Sequence, residues 1–200
     1  MAKFDDRAPE WDTPDRIERG RRVAAAVAKA AKITGADRVF DLGGGTGLVG
    51  FPLAELARDV TLADASAGML GQAQAKIDAT GVENVRLLRH ELTVDPLPAE
   101  RFDVVTGLMS LHHVADTARA LAEIYLLLAP GGRLAILDLD TEGGTYHDDP
   151  AEPVIHGFDR AALGALAIAA GFEEPTFSTA LELQKRGQTY PVFLLVARRP

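Results

Sequence analysis

The residues best suited to chemistry in this chain are glycines, acids and histidines that follow short apolar runs. The densest case is Arg38-Val39-Phe40-Asp41-Leu42-Gly43-Gly44-Gly45-Thr46-Gly47-Leu48-Val49-Gly50, where β-branched and aromatic residues lead into an acid and then a glycine cluster. Such a stretch reads as a buried strand, a turn and a helix start, and its glycines let a ligand approach the backbone closely. Gly43-x-Gly45-x-Gly47 and Gly45-x-Gly47-x-x-Gly50 are both present, and the second has the spacing of a dinucleotide-binding loop. The next acid to close an apolar run is Asp64, in Val60-Thr61-Leu62-Ala63-Asp64. It lies about 20 residues on, where a ribose-binding carboxylate is expected. A nucleoside ligand is therefore expected. Asp41, two residues before Gly43, would repel a pyrophosphate laid over the glycines and suits a cationic group instead. Further on, Leu111-His112-His113-Val114 leaves another apolar run. Imidazoles there titrate near neutrality and can take a proton from a hydroxyl or a carbon acid.

The segment from Val39 to Gly47 closely resembles the first motif of the class I S-adenosylmethionine-dependent methyltransferases, hydrophobic-hydrophobic-Asp-hydrophobic-Gly-x-Gly-x-Gly. The likeness continues in Met69-Leu70, His90-Glu91-Leu92, Phe102-Asp103-Val104-Val105, Leu111-His112-His113 and Leu128-Ala129-Pro130-Gly131-Gly132-Arg133-Leu134. It implies an α/β fold: a Rossmann-like, doubly wound, seven-stranded, mostly parallel sheet with an antiparallel last strand and helices on both faces. It also implies S-adenosyl-L-methionine as cofactor, whose ammonium and sulfonium suit an acidic loop. The implied cofactor-binding residues are Asp41, Gly43, Gly44, Gly45, Gly47, Asp64, Ala65, Met69, Glu91 and Leu92. Asp41 would face the ammonium end, the glycine backbone would lie along the homocysteine part, and Met69, Glu91 and the backbone of Leu92 would meet the adenine. The sequence departs from the family pattern at Glu91, where Asp is commoner, and at His90, where a small residue is usual. Phe4-Asp5-x-x-Ala8-x-x-Trp11-Asp12 resembles the entry arm of a subgroup of small methyltransferases, where it folds over the cofactor pocket.

The elements that must position these residues follow from periodicity and caps. Thr13-Pro14-Asp15 starts an amphipathic helix carrying Ile17, Val23, Ala24, Val27 and Ala31 that runs to Gly35. A helix over Leu48 to Arg58 is expected, although Pro52 lies deep within it. Strands are expected at Val60–Ala63, Val85–Arg89, the run after Phe102, Arg133–Asp138, Pro175–Gln184 and Tyr190–Arg198. Helices are expected at Ala67–Ala79 after Ser66, Thr117–Leu128 after Asp116, and Arg160–Ala170 after Asp159. Asp103 is placed at a strand entry, away from chemistry. Between Leu139 and His156 no periodicity persists, and this acidic segment is expected to help form an acceptor pocket. His112, His113 and His147 are the candidate bases, and Glu142 joins His147 as a candidate acceptor-lining group. His147, Asp148 and His156 have no metal-ligand spacing, so no metal is expected.

Composition narrows the setting. With 29 acidic and 21 basic residues the net charge is -8, and the short run Arg19-Gly20-Arg21-Arg22 reads as a solvated helix face. No basic footprint for nucleic acid is present. The chain lacks cysteine, which excludes disulfides and thiolate chemistry. Neither a signal-peptide core nor a membrane-length apolar run is seen, so a cytoplasmic protein is expected. One domain is expected over 1–200, with an arm and helix over 1–34 and a core over 35–200. The functional expectation is methyl transfer to a small-molecule acceptor. An NAD-linked oxidoreductase and a non-catalytic cofactor-binding module are the alternatives, and oligomeric state stays open.

Overall fold

A computed structural model describes residues 2–149 and 151–200, with side chains from Phe4 onward; Met1, the first residue of the expected arm, and Pro150 lie outside the described residues. The strands are β1 (Arg38–Leu42), β2 (Asp59–Asp64), β3 (Val85–Arg89), β4 (Phe102–Leu108), β5 (Leu128–Leu139), β6 (Thr176–Lys185) and β7 (Gln188–Arg198). They form one seven-stranded sheet in the order β3-β2-β1-β4-β5-β7-β6. β1 to β5 run parallel, whereas β7 is antiparallel to both neighbours, β5 and β6. The order reverses between β1 and β4, which opens a crevice at their carboxyl ends, the position where open α/β sheets bind ligands. The glycine loop leaves β1 at that crevice, and the His112-His113 turn follows β4.

Successive strand residues serve opposite faces of the sheet. Val39 and Leu137 join one apolar layer with Val23, Val27, Leu53 and Ala73. Phe40 and Ile136 join the other with Leu121, Ile124, Leu163 and Phe193. The first layer is covered by α2 (Pro14–Ala30), α3 (Gly50–Ala54) and α4 (Ala67–Thr80), the second by α5 (Thr117–Leu127) and α6 (Arg160–Ala169). Each large apolar side chain withdrawn from water in this way contributes about 1.5–3 kcal/mol. The expected caps form, with Ser66, Asp116 and Asp159 accepting from the N–H groups of Met69, Arg119 and Ala162. Asp103 accepts from the Arg38 N–H (2.8 Å) at the strand entry.

Some elements differ from expectation. The arm carries a helix, α1 (Ala2–Arg7), for which six residues gave too short a pattern. The helix expected over Leu48 to Arg58 starts late, at Gly50, because Pro52 has no N–H to donate to Leu48, and it ends at Ala54, where turns take over. β5 begins at Leu128, before Pro130-Gly131-Gly132, which form an irregularity within the strand; Gly131 takes φ +80° there. Among the described residues no helix is long and apolar enough to cross a membrane.

Candidate active site

The glycine loop is shaped by close approaches that a side chain would block. At Gly43, with φ +63°, a Cβ would fall 2.5 Å from the Ser110 side chain. At Gly44 a Cβ would lie 2.9 Å from Asp41 Oδ2. Asp41 is 1 % exposed, and its Oδ2 has no hydrogen-bond partner among the described residues. Burial, and then the nearby Asp64 charge, push its carboxyl up to about 7, against a lowering hydrogen bond from the Gly50 backbone. A buried carboxylate with a free oxygen is a ready partner for a cation.

Asp64 ends β2 and ties the loop to α4. Its Oδ2 accepts from the Gly45 N–H and its Oδ1 from the Ser66 N–H, each at 2.8 Å. Burial raises the pKa of this carboxyl as well. Met69 is buried on the first turn of α4, beside Gly45. The arm docks on the same corner: Asp5 Oδ1 accepts from Ser66 Oγ and from the Gly68 N–H, both at 2.7 Å. Asp12 accepts from Thr46 Oγ1 (2.5 Å) and pairs with Lys76 (2.5 Å), which also donates to the Thr46 carbonyl (2.7 Å). Phe4 meets Trp11 and His113 edge to face, with centroids 5.9 and 5.3 Å apart.

Three histidines converge beside the carboxyl ends of β4 and β5. His112 and His113 have ring centroids 4.2 Å apart, and His147 lies 5.1 and 5.7 Å from them. Asp138, fully buried on β5, has Oδ1 at 2.7 Å from His112 Nδ1. The same carboxylate accepts from the His112 and Leu139 backbone N–H groups (3.1 and 2.8 Å). Asp138 thus acts as an acceptor throughout, which assigns the proton to His112 Nδ1 and leaves Nε2 basic. Burial, followed by His112 and His147, holds the His113 pKa down at about 4. His147 pairs with Glu152 at 3.4 Å, and burial lowers its pKa.

Asp41, Gly43, Gly44, His112, His113 and His147 all line one cavity of about 250 Å³. Phe4, Trp11, Thr46, Tyr146, Leu183 and Val192 complete much of its wall. The cavity therefore brings a buried acid with one orphaned oxygen and an oriented imidazole to the same space.

Known proteins share the sequence pattern of the domain and its fold. Residues 39–132 match the family model described as a methyltransferase domain. The demethylmenaquinone methyltransferase of Thermus thermophilus is 37% identical over 145 residues, covering 68% of this chain and 63% of the relative. Residues 39–132 thus carry a methyltransferase domain, and the chain is similar to S-adenosylmethionine-dependent methyltransferases. A ubiquinone/menaquinone biosynthesis C-methyltransferase of Psychromonas ingrahamii is 36% identical over 108 residues, covering 52% of this chain and 43% of the relative. The chain thus spans less than two thirds of the length of these curated relatives. The crystal structure of an S-adenosylmethionine-dependent methyltransferase from Aquifex aeolicus has the same fold, with a TM-score of 0.73 at 20% identity, covering 98% of each chain.

The other expected cofactor residues lie outside that cavity. Ala65 and Glu91 line a separate open depression with His90, Asp95 and Pro96. The Leu92 side chain belongs to the core, and Gly45, Gly47, Asp64 and Met69 line neither space. Glu142 does not line the cavity; its carboxylate accepts from the Thr145 and Tyr146 N–H groups and organises the loop around them. Arg19 is a further departure: it lines the cavity, while Arg21 and Arg22 are exposed. Asp138 received no role from sequence, although its place at a strand's carboxyl end in a ligand-binding crevice was the available signal. Asp41 Oδ2, as an orphaned buried acceptor beside a side-chain-free loop, fits the ammonium of S-adenosylmethionine.

Proposed function

We propose that this chain is an S-adenosylmethionine-dependent methyltransferase that modifies a small, planar hydroxylated acceptor of the quinol type. One observation carries the reading: the orphaned carboxylate oxygen of Asp41 and the Asp138-held imidazole of His112 line the same cavity. The cofactor supplies a methyl group already activated on a sulfonium. Asp41 would take its ammonium and the Gly43 and Gly44 backbone would lie along its homocysteine part; as the family resemblance implies, Asp64 would take the ribose, and Met69, Glu91 and the Leu92 backbone would meet the adenine. His112 Nε2 accepts the hydroxyl proton of the acceptor, and Asp138 keeps the ring in the tautomer and orientation that make this possible. His113 is uncharged at neutral pH, so it stacks and excludes water without adding positive charge. Phe4, Trp11 and Tyr146 provide flat apolar walls that suit an aromatic ring. The acceptor class draws on the curated relatives, which are named for demethylmenaquinone and for quinone biosynthesis. An NAD-linked oxidoreductase is disfavoured by Asp41, which stands where a pyrophosphate would lie.

The test is transfer of labelled methyl from S-adenosylmethionine to a panel of hydroxynaphthoquinols, phenols and amines. Label in the quinol or phenol fraction that depends on His112 supports the reading. Label confined to amines, indifferent to His112→Ala, contradicts it.

A further inference from the structure

We infer that Arg16 and Arg19 form a carboxylate-binding pole of the cavity, a role that no established residue of the site fills. The two lie one helical turn apart on α2, which puts them on a common face. Both line the cavity, together with Arg7 and Lys185. Lys185 is already engaged by Asp148 (2.9 Å) and by the Tyr146 carbonyl (2.6 Å). Arg16 donates to the Trp11 carbonyl (2.9 Å) and stacks on the Trp11 ring at 4.2 Å, contacts that orient it without neutralising it. For Arg19 no hydrogen bond or ion pair exists among the described residues. The cavity's own acids serve elsewhere: Asp148 is held by Lys185 and Arg186, Glu152 pairs with His147, and Asp41 lies beside Gly44.

The placement is rigid as well as unbalanced. Gly20, next to Arg19, lets α2 press on the glycine loop, because a Cβ there would fall 2.4 Å from the Leu48 carbonyl oxygen. Arg16 is destabilised as a cation by burial and then by Arg7 and Arg19. Crowded guanidinium groups facing a cavity in a chain of net charge -8 lose that repulsion when a ligand brings an anion. Guanidinium matches a carboxylate in a planar, two-bond fork. Two sources of carboxylate meet this description: the amino-acid carboxylate of the cofactor, which rests on the methyltransferase reading, and an acidic substituent on the acceptor.

Calorimetric titration of the full chain separates them, using wild type, Arg16→Gln, Arg19→Gln and Arg19→Lys. The probes are S-adenosylhomocysteine, 5′-methylthioadenosine, which lacks the amino-acid part, and 4-hydroxybenzoate against its neutral counterpart 4-hydroxybenzamide. A loss of about tenfold or more in S-adenosylhomocysteine affinity in Arg19→Gln, with 5′-methylthioadenosine unchanged and partial rescue by Lys, assigns the pole to the cofactor. A similar loss for 4-hydroxybenzoate alone assigns it to the acceptor. Variants that match wild type for both carboxylate probes, including the case where neither binds 4-hydroxybenzoate, overturn the proposal. Failure of wild type to bind S-adenosylhomocysteine would count against the methyltransferase reading instead. The pole would then stand or fall on 4-hydroxybenzoate alone.

Discussion

His112 Nδ1 lies 2.7 Å from Asp138 Oδ1, with both residues withdrawn from solvent on adjoining elements of the sheet's carboxyl edge. This contact fixes which imidazole nitrogen is free to act. Asp138→Asn preserves size but offers an amide that can present N–H to the ring and reverse its tautomer. Methyl transfer under single-turnover conditions is expected to fall by about 10²–10⁴, the range of a lost general base, with S-adenosylhomocysteine affinity within a few-fold of wild type. Equal loss of cofactor binding would instead make Asp138 a structural residue of the pocket.

The cavity contains two groups whose titrations oppose each other. The Asp41 pKa rises from 3.8 to about 7 on folding, so between those values the folded chain holds a proton that the unfolded chain has lost. Its contribution to stability is present below pH 4 and is lost as pH rises towards 7. The His113 pKa falls from 6.5 to about 4, so over nearly the same window the unfolded chain is the more protonated. Its contribution is present above pH 6.5 and is lost as pH falls towards 4. Thermal melts of Asp41→Asn should therefore show a steeper rise of stability from pH 4 to 7 than wild type, and His113→Gln a shallower one. Asp41→Asn should also be more stable than wild type at pH 8 in the absence of ligand, by about 1–3 kcal/mol. Identical slopes in all three proteins would contradict the burial argument.

Gly68 tests the docking of the arm without touching the cavity wall. A Cβ there would fall 2.8 Å from Asp5 Cα and 2.9 Å from the Asp5 carbonyl oxygen, both backbone atoms. Gly68→Ala is expected to displace α1 and speed hydrogen exchange across Ala2–Trp11, while leaving exchange in β1 and β4 unaltered. An unchanged arm would show that its other anchors, Asp12 with Thr46 and Lys76, suffice alone.

Asp64 has a structural duty as well as the proposed ribose contact. Asp64→Ala leaves the Gly45 and Ser66 N–H groups without their acceptor, at a cost of about 1–3 kcal/mol. Both melting temperature and S-adenosylhomocysteine affinity should drop. A drop in stability alone would restrict Asp64 to joining the loop and α4.

Local signals carried the fold. Val39-Phe40-Asp41-Leu42 before the glycines, and Ser66, Asp116 and Asp159 before apolar periodicity, each act within a few residues, so strands and helix starts were readable. The arm helix was not, because α1 is too short to show a period and is held by Asp5 on Ser66 and Gly68, more than 60 positions away. The same limit applies to the site. Asp41, His112 and His113 follow apolar runs in recognisable phrases. Asp138 and Arg19 gain their significance only when β5 comes beside β4 and α2 comes against Leu48, contacts that no local pattern encodes. Glu142 is plausible by charge and position, yet it lies outside the cavity, and its Oε2 is taken by two nearby backbone N–H groups.

The most direct measurement is calorimetric titration of the full chain with S-adenosylhomocysteine at pH 6 and pH 8, beside NADH, in buffers of different ionisation enthalpy. The cofactor's ammonium needs Asp41 ionised, so binding should be tighter at pH 8, should release a proton at pH 6, and should lose that release in Asp41→Asn. NADH should give no heat of binding. Binding of NADH alone, or S-adenosylhomocysteine affinity indifferent to both pH and Asp41, would contradict the account.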